Sequence, residues 1–187
     1  MSGHNKFSKI KVKKGITDAK KSKIFAIMSK KITVESKMAK GDKNSPSLRK
    51  AIEKAREVNM PNDKIDAAVA KGTGVGGSEM QNVMYEAYGP GGAAIIVTGI
   101  TDNKNRMTPE IKHILSNHGG SLGAEGSVTW AFEKKEDEWV PTMAMELPQA
   151  DVEALEKLLE EIDEHEDVEG IFTNISNLPE EEEESTE

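Results

Sequence analysis

Apolar side chains recur at helical spacing up to residue 72 and at strand spacing from residue 82, with "GTGVGGSE" (72–79) between the two textures. A 3.6-residue period does not sit as a strand, nor a two-residue period as a helix. The chain is therefore expected to build a helical part first and a sheet-containing part second. The glycine-rich stretch reads as a linker. A phosphate loop would need a lysine and a hydroxyl residue after its last glycine, and Ser78 and Glu79 stand there instead.

Before the linker, residues 1–15 mix small, basic and apolar side chains and read as an extended arm, with Ile10 and Val12 between lysines. A first helix is expected from about Thr17, capped by Thr17 or Asp18, with Ile24, Phe25, Met28 and Ile32 as its apolar stripe and Met38 and Ala39 further on. "GDKNSP" ends it. Ser45 is the expected cap and Pro46 the first position of a second helix, whose Leu48, Ala51, Ile52 and Ala55 share one face. A third helix is expected over about 61–71, with Ile65, Ala68 and Val69 inside and Gly72 as its stop.

After the linker, "VMYEAY" and "AAIIVTGI" read as strands joined by the turn "GPGG". "TPEIKHILSNHGG" reads as a helix capped by Thr108, with Pro109 first and Ile111, Ile114 and Leu115 inside. "SVTWAFEKK" and "EWVPTMAMEL" read as two more strands, Pro141 placing the second at an edge or bulge. Residues 149–165 form a helix around Val152, Leu155, Leu158, Leu159 and Ile162, and "VEGIFTNI" closes as a strand. The order β-β-α-β-β-α-β implies an α+β class: a three-helix N-terminal domain, then a ferredoxin-like sandwich with an antiparallel sheet. The expected bounds are 1–72 for the basic helical domain, 73–81 for the linker, 82–178 for the α+β domain and 179–187 for a disordered acidic tail.

Charge is divided along the same line. Residues 1–72 carry a net +12 and residues 73–187 a net −20, within a total of −8. Eight lysines fall in the first 25 residues, with Asp18 the single acidic residue among them. Solvated surfaces usually mix both signs, so a basic front on an acidic body points to a polyanionic partner. Residues 6–31 hold ten lysines and no arginine, which suits phosphate contacts rather than bidentate reading of guanine. The expected nucleic-acid contacts are Lys6, Phe7, Lys9, Lys11, Lys13, Lys14, Lys20, Lys21, Lys23 and Lys30. Phe7 could stack on a base or pin the arm to its own domain, whereas core packing is the expected role of Phe25. The acidic body orients the basic end toward nucleic acid, or serves solubility.

Several stretches together resemble the YebC family: "GHNKFSKIKVKKG", "DAKKSKIF", "SPSLRKAIEKAREVNMP", "YEAYGPGG", "TDNKNR" and "GGSLGAEGSV", with the likeness resuming from "EWVPTMAMEL" through "VEGIFTNI". Phe7 replaces the family's usual Trp, Val12 and Lys13 stand where His and Arg are frequent, and Lys21 replaces an Arg. The family's inserted third domain is absent, and only "EDE" (136–138) bridges its flanking strands. The resemblance implies a shortened member with a helical N-terminal domain, nucleic-acid binding and no catalysis. It further implies action on the ribosome at stall-prone sequences such as proline runs, or, in the family's older description, DNA-binding control of transcription. A second contact loop at Asn103, Lys104, Asn105 and Arg106 is expected mainly from the resemblance; the same residues could instead cap the following helix.

Other chemistry finds little support. The four histidines, His4, His113, His118 and His165, form no H-x-x-x-H pair, and the chain has no cysteine, so no metal site, cofactor or enzymatic activity is expected. No apolar run approaches 18 residues, and no secretory signal is seen, so a cytoplasmic protein without a membrane partner is expected. Oligomeric state leaves no firm mark, and a monomer is the default. Ribosomal RNA is the favoured partner, DNA the alternative. A module binding an acidic protein is a third reading.

Overall fold

The computed structural model describes residues 18–74 and 79–179. The expected arm, the middle of the linker and the acidic tail lie outside them. Three helices come first: α1 (Asp18–Met38), α2 (Pro46–Glu57) and α3 (Asn62–Thr73). They close around Ile24, Ile27, Met28 and Ile32 of α1, Leu48, Ala51, Ile52 and Ala55 of α2, and Ile65, Ala68 and Val69 of α3. Ile27 joins a stripe that the spacing drew without it, while Met38, the last residue of α1, is 75% exposed. Ser45 precedes α2 with no capping hydrogen bond from its side chain, and Pro46 opens the helix.

Gly72 does not stop α3 but lies inside it. A Cβ there would fall 2.5 Å from the Thr33 carbonyl oxygen and 2.6 Å from Ser36 Cβ. Its absence lets α3 and α1 approach closely enough for Ser36 Oγ to donate to the Val69 carbonyl at 2.7 Å. Close approach, rather than helix termination, is why glycine stands here.

The second part is built on a four-stranded antiparallel sheet in the order β3-β1-β2-β6. Its strands are β1 (Gln81–Tyr88), β2 (Ala94–Thr101), the short β3 (Ser121–Leu122) and β6 (Val168–Thr173). β1 and β2 pair from Gln81 with Thr101 to Tyr88 with Ala94. Helices α4 (Lys104–Asn117) and α5 (Gln149–Glu164) cover one face, burying Met107, Ile111 and Leu115 with Leu155, Leu158 and Leu159 against Ile95 and Val97. The α+β class and the antiparallel sheet are as expected from the sequence.

Two strands leave that sheet. β4 (Phe132–Lys135) and β5 (Glu138–Pro141) pair only with each other. The stretch read as one strand from Ser127 bends at Thr129–Ala131 in a short 3-10 turn, and only its end is extended. Val128, Ala131 and Phe132 then cover the opposite face of the sheet over Ala94, Ile96 and Phe172. The hairpin reverses through Glu136, whose φ is +53°.

α4 also begins earlier than its Pro-led pattern suggests. Asn103 caps it, its Oδ1 accepting the Arg106 backbone NH at 3.0 Å, and Pro109 sits within the helix. Thr108 is not the cap; its hydroxyl donates to the Lys104 carbonyl one turn back, at 2.8 Å. As the sixth residue of α4, Pro109 has no N–H to give the Asn105 carbonyl one turn back.

Gly72→Ala should lower stability by about 2 kcal/mol, the usual cost of overpacking a closed contact. Urea unfolding checks it, and an unchanged midpoint would show that α1 and α3 separate freely.

Candidate nucleic-acid interface

The expected contacts Lys6, Phe7, Lys9, Lys11, Lys13 and Lys14 lie outside the described residues. Those on α1 divide into two groups. Toward the N-terminus, Lys20 and Lys21 are exposed. The ammonium groups of Lys21 and Lys64 stand 6.0 and 5.3 Å from the centroid of the Phe25 ring. Phe25 is half-buried against the helical core, so its ring is both packing and a seat for cations.

Further along α1 the lysines face the body and meet its carboxylates. Lys23 Nζ lies 3.5 Å from Asp163 on α5. Burial lowers the pKa of Lys23, and Asp163 offsets part of that. Lys31 pairs with Glu169, a residue skipped in the β2–β6 register, where Thr98 faces Gly170 and Gly99 faces Val168. Lys30 pairs with Asp167 and donates to the Glu166 carbonyl at 3.0 Å. Among the described residues, every salt bridge between the helices and the body has its lysine on the helical side.

Asp167 is the point where these contacts converge. Its side chain is 2% exposed. Besides Lys30, it accepts from Arg106 Nη2 at 2.7 Å and from the Thr101 hydroxyl at 2.9 Å. Burial alone would raise its pKa; the hydrogen bonds from Lys30 and Thr101 and the charges of Lys30 and Arg106 together hold it below the ordinary value. Gly99 makes room for it, since a Cβ there would lie 2.4 Å from the Asp167 carbonyl oxygen.

The second expected contact loop is drawn into the same cluster. Arg106 also reaches Glu166 at 3.0 Å, and Asn103 is used as a helix cap. Lys104 and Asn105 remain exposed. Reading the sequence alone could not pair Arg106 with Asp167, because 61 residues separate them.

A second buried carboxylate went unread. Glu86 on β1 is 4% exposed and accepts the backbone NH groups of Gly126, Val128 and Thr129 at 2.6, 2.7 and 2.9 Å. Burial pushes its pKa up, and the three NH groups outweigh that and leave it lowered. Glu86 thus ties the "YEAYGPGG" stretch to "GGSLGAEGSV". The one signal in the sequence was an acidic residue in the middle of a strand that otherwise reads as half-buried. Beside it, Tyr88 Oη and Trp130 Nε1 both donate to the Ser127 carbonyl at 2.8 Å, which leaves the Trp130 ring 64% exposed with its polar atom already satisfied.

Among the described residues, no three His, Asp or Glu side chains are placed to hold a metal ion, and no helix is long and apolar enough to cross a membrane.

Two outcomes follow from the buried carboxylates. Asp167 has a folded pKa below the ordinary 3.8. Its stabilisation is full above that value and is lost as pH falls through the depressed folded value. Asp167→Asn should cost about 3 kcal/mol at neutral pH and flatten the loss of stability between pH 7 and pH 3. Urea titrations at the two pH values read both effects. Glu86→Ala should cost about 3 kcal/mol and speed amide exchange at Gly126, Val128 and Thr129, which would lose their acceptor.

The comparisons with known proteins meet this geometry at several points. Residues 5–75 match the TACO1/YebC protein N-terminal domain, and residues 80–137 match the TACO1/YebC second and third domain. The second match ends in the β4–β5 turn. A probable transcriptional regulatory protein of Petrotoga mobilis is 44% identical over 188 residues, covering 95% of this chain and 72% of that protein. One from Thermoanaerobacter pseudethanolicus is 55% identical over 136 residues, covering 72% of this chain and 55% of that protein. The crystal structure of a conserved hypothetical protein from Aquifex aeolicus superposes with a TM-score of 0.82 at 28% identity, covering 92% of this chain and 97% of that one. The chain belongs to the TACO1/YebC family.

Proposed function

We propose that this chain is a non-enzymatic nucleic-acid-binding factor that contacts ribosomal RNA through its lysine-rich N-terminal region and assists translation, acting as a monomer in the cytoplasm. The observation that carries this reading is the charge division: net +12 over residues 1–72 against −20 beyond, with ten lysines and no arginine in 6–31. Lysines without arginine favour phosphate contact over base reading. A structured RNA offers many phosphates to such a segment without requiring a defined sequence.

The exposed start of α1 supports the direction of approach. Lys20 and Lys21 continue the basic run of residues 6–14 into the helix. Further along the same helix, body carboxylates accompany Lys23, Lys30 and Lys31. The contact centres on Lys6, Phe7, Lys9, Lys11, Lys13 and Lys14, with the exposed Lys20 and Lys21 next. Lys104 and Asn105 offer a smaller second contact.

The relatives' name, probable transcriptional regulatory protein, favours a second reading in which the same segment contacts DNA. Ribosome co-sedimentation separates the two. The wild type should pellet with ribosomes, and changing Lys9, Lys11, Lys13 and Lys14 to Ala should lower that binding at least tenfold while circular dichroism stays unchanged. On a duplex probe, about six phosphate contacts would give a slope near −5 in log K against log salt. Absence of wild-type co-sedimentation at low salt, with binding to duplex DNA retained, would overturn the ribosomal reading in favour of DNA.

A further inference from the structure

Away from the N-terminal segment, two lysines converge on one short turn. Lys54 Nζ lies 2.5 Å from Asp137 Oδ2, and Lys50 Nζ lies 3.6 Å from the same oxygen and 3.4 Å from Glu136. The Lys54 hydrogen bond lowers the pKa of Asp137 against burial, and Lys31 on α1, itself paired with Glu169, adds only the effect of its charge. Lys50 and Lys54 both come from α2. The two carboxylates are the tip of the β4–β5 hairpin.

We propose that Lys50 and Lys54 form a second phosphate-binding site for nucleic acid, and that the acidic turn Glu136–Asp137 occupies it in place of a phosphate. The proposal rests on the nucleic-acid reading above and adds a site to it. A carboxylate and a phosphate present the same kind of oxygen to an ammonium group, at the same distance. Two ammonium groups focused on one oxygen-bearing group suit a backbone phosphate, and lysine asks for no planar partner.

The turn is suited to be displaced. Glu136 is 82% and Asp137 47% exposed, so each of these ion pairs is of the solvent-exposed kind that holds weakly and yields to salt. The hairpin pairs with no other strand, so moving its tip breaks no ladder of the main sheet. The half-buried Lys30 and the buried Asp167, by contrast, would keep the helices attached to the body while the turn leaves.

The test measures anisotropy of a labelled 20-base-pair RNA duplex with four full-length proteins: wild type, Glu136→Gln/Asp137→Asn, Lys50→Ala/Lys54→Ala, and all four changes together. Freeing the site should tighten binding about tenfold and steepen the salt slope by about 2, matching two added phosphate contacts. The gain should vanish when Lys50 and Lys54 are also removed. Glu125→Gln/Glu160→Gln makes the same charge change at exposed positions on other elements and controls for net charge. Equal binding by wild type and the turn variant, or an equal gain in the control, would overturn this site while leaving the N-terminal reading intact. Failure of every protein to bind the duplex or ribosomes would overturn both.

Discussion

One buried carboxylate joins the parts of this molecule. Asp167 sits at the start of β6, almost closed to solvent, and is met by a lysine from α1, an arginine from α4 and a hydroxyl from the end of β2. A carboxylate in that position is costly without partners and stable with them, so the three donors must arrive together. Their arrival fixes where α1 lies against the sheet and where the loop before α4 points. Glycine at position 99 and the skipped residue Glu169 are the local accommodations that let β6 bring Asp167 to this spot.

Glu86 applies the same chemistry to backbone. A strand residue that would otherwise face the hairpin layer becomes the acceptor for three NH groups of an irregular segment. Such a segment has no ladder to satisfy its donors, and a single ionised side chain does so instead. The body's acidity is therefore partly structural. Some of its carboxylates hold backbone, some hold lysines of the helices, and the remainder, such as Glu160, face solvent.

The helices were legible in the sequence because burial follows a period that one strand of text displays. The inner faces of α2, α3 and α5 are those the spacing predicts, and Leu48, Ala51, Ile52 and Ala55 are all buried. What the text did not display were relations between distant segments. β3 has two residues and no pattern of its own; it exists because Ala87 and Tyr88 offer it partners. β4 and β5 alternate as convincingly as the sheet strands, yet pairing partners are set by tertiary placement, not by period. Gly72 shows the same limit at the scale of one residue. Its local reading is a helix stop, and the neighbour across the fold, α1, decides otherwise.

The candidate interface is read in the same way. Composition shows where lysines are concentrated but not which of them a carboxylate already accompanies. Lys23, Lys30 and Lys31 lie where α1 runs beside the body, and the rotation of the helix there is set by Ile24, Ile27 and Met28 turning toward the helical core. Once the core fixes the rotation of the helix, one set of lysines must face the body. A body without carboxylates at Asp163, Asp167 and Glu169 would leave those charges repelling one another across the junction. The acidic body and the basic front are thus one arrangement. The front can concentrate positive charge toward a polyanion because the body neutralises the part of that charge that points inward.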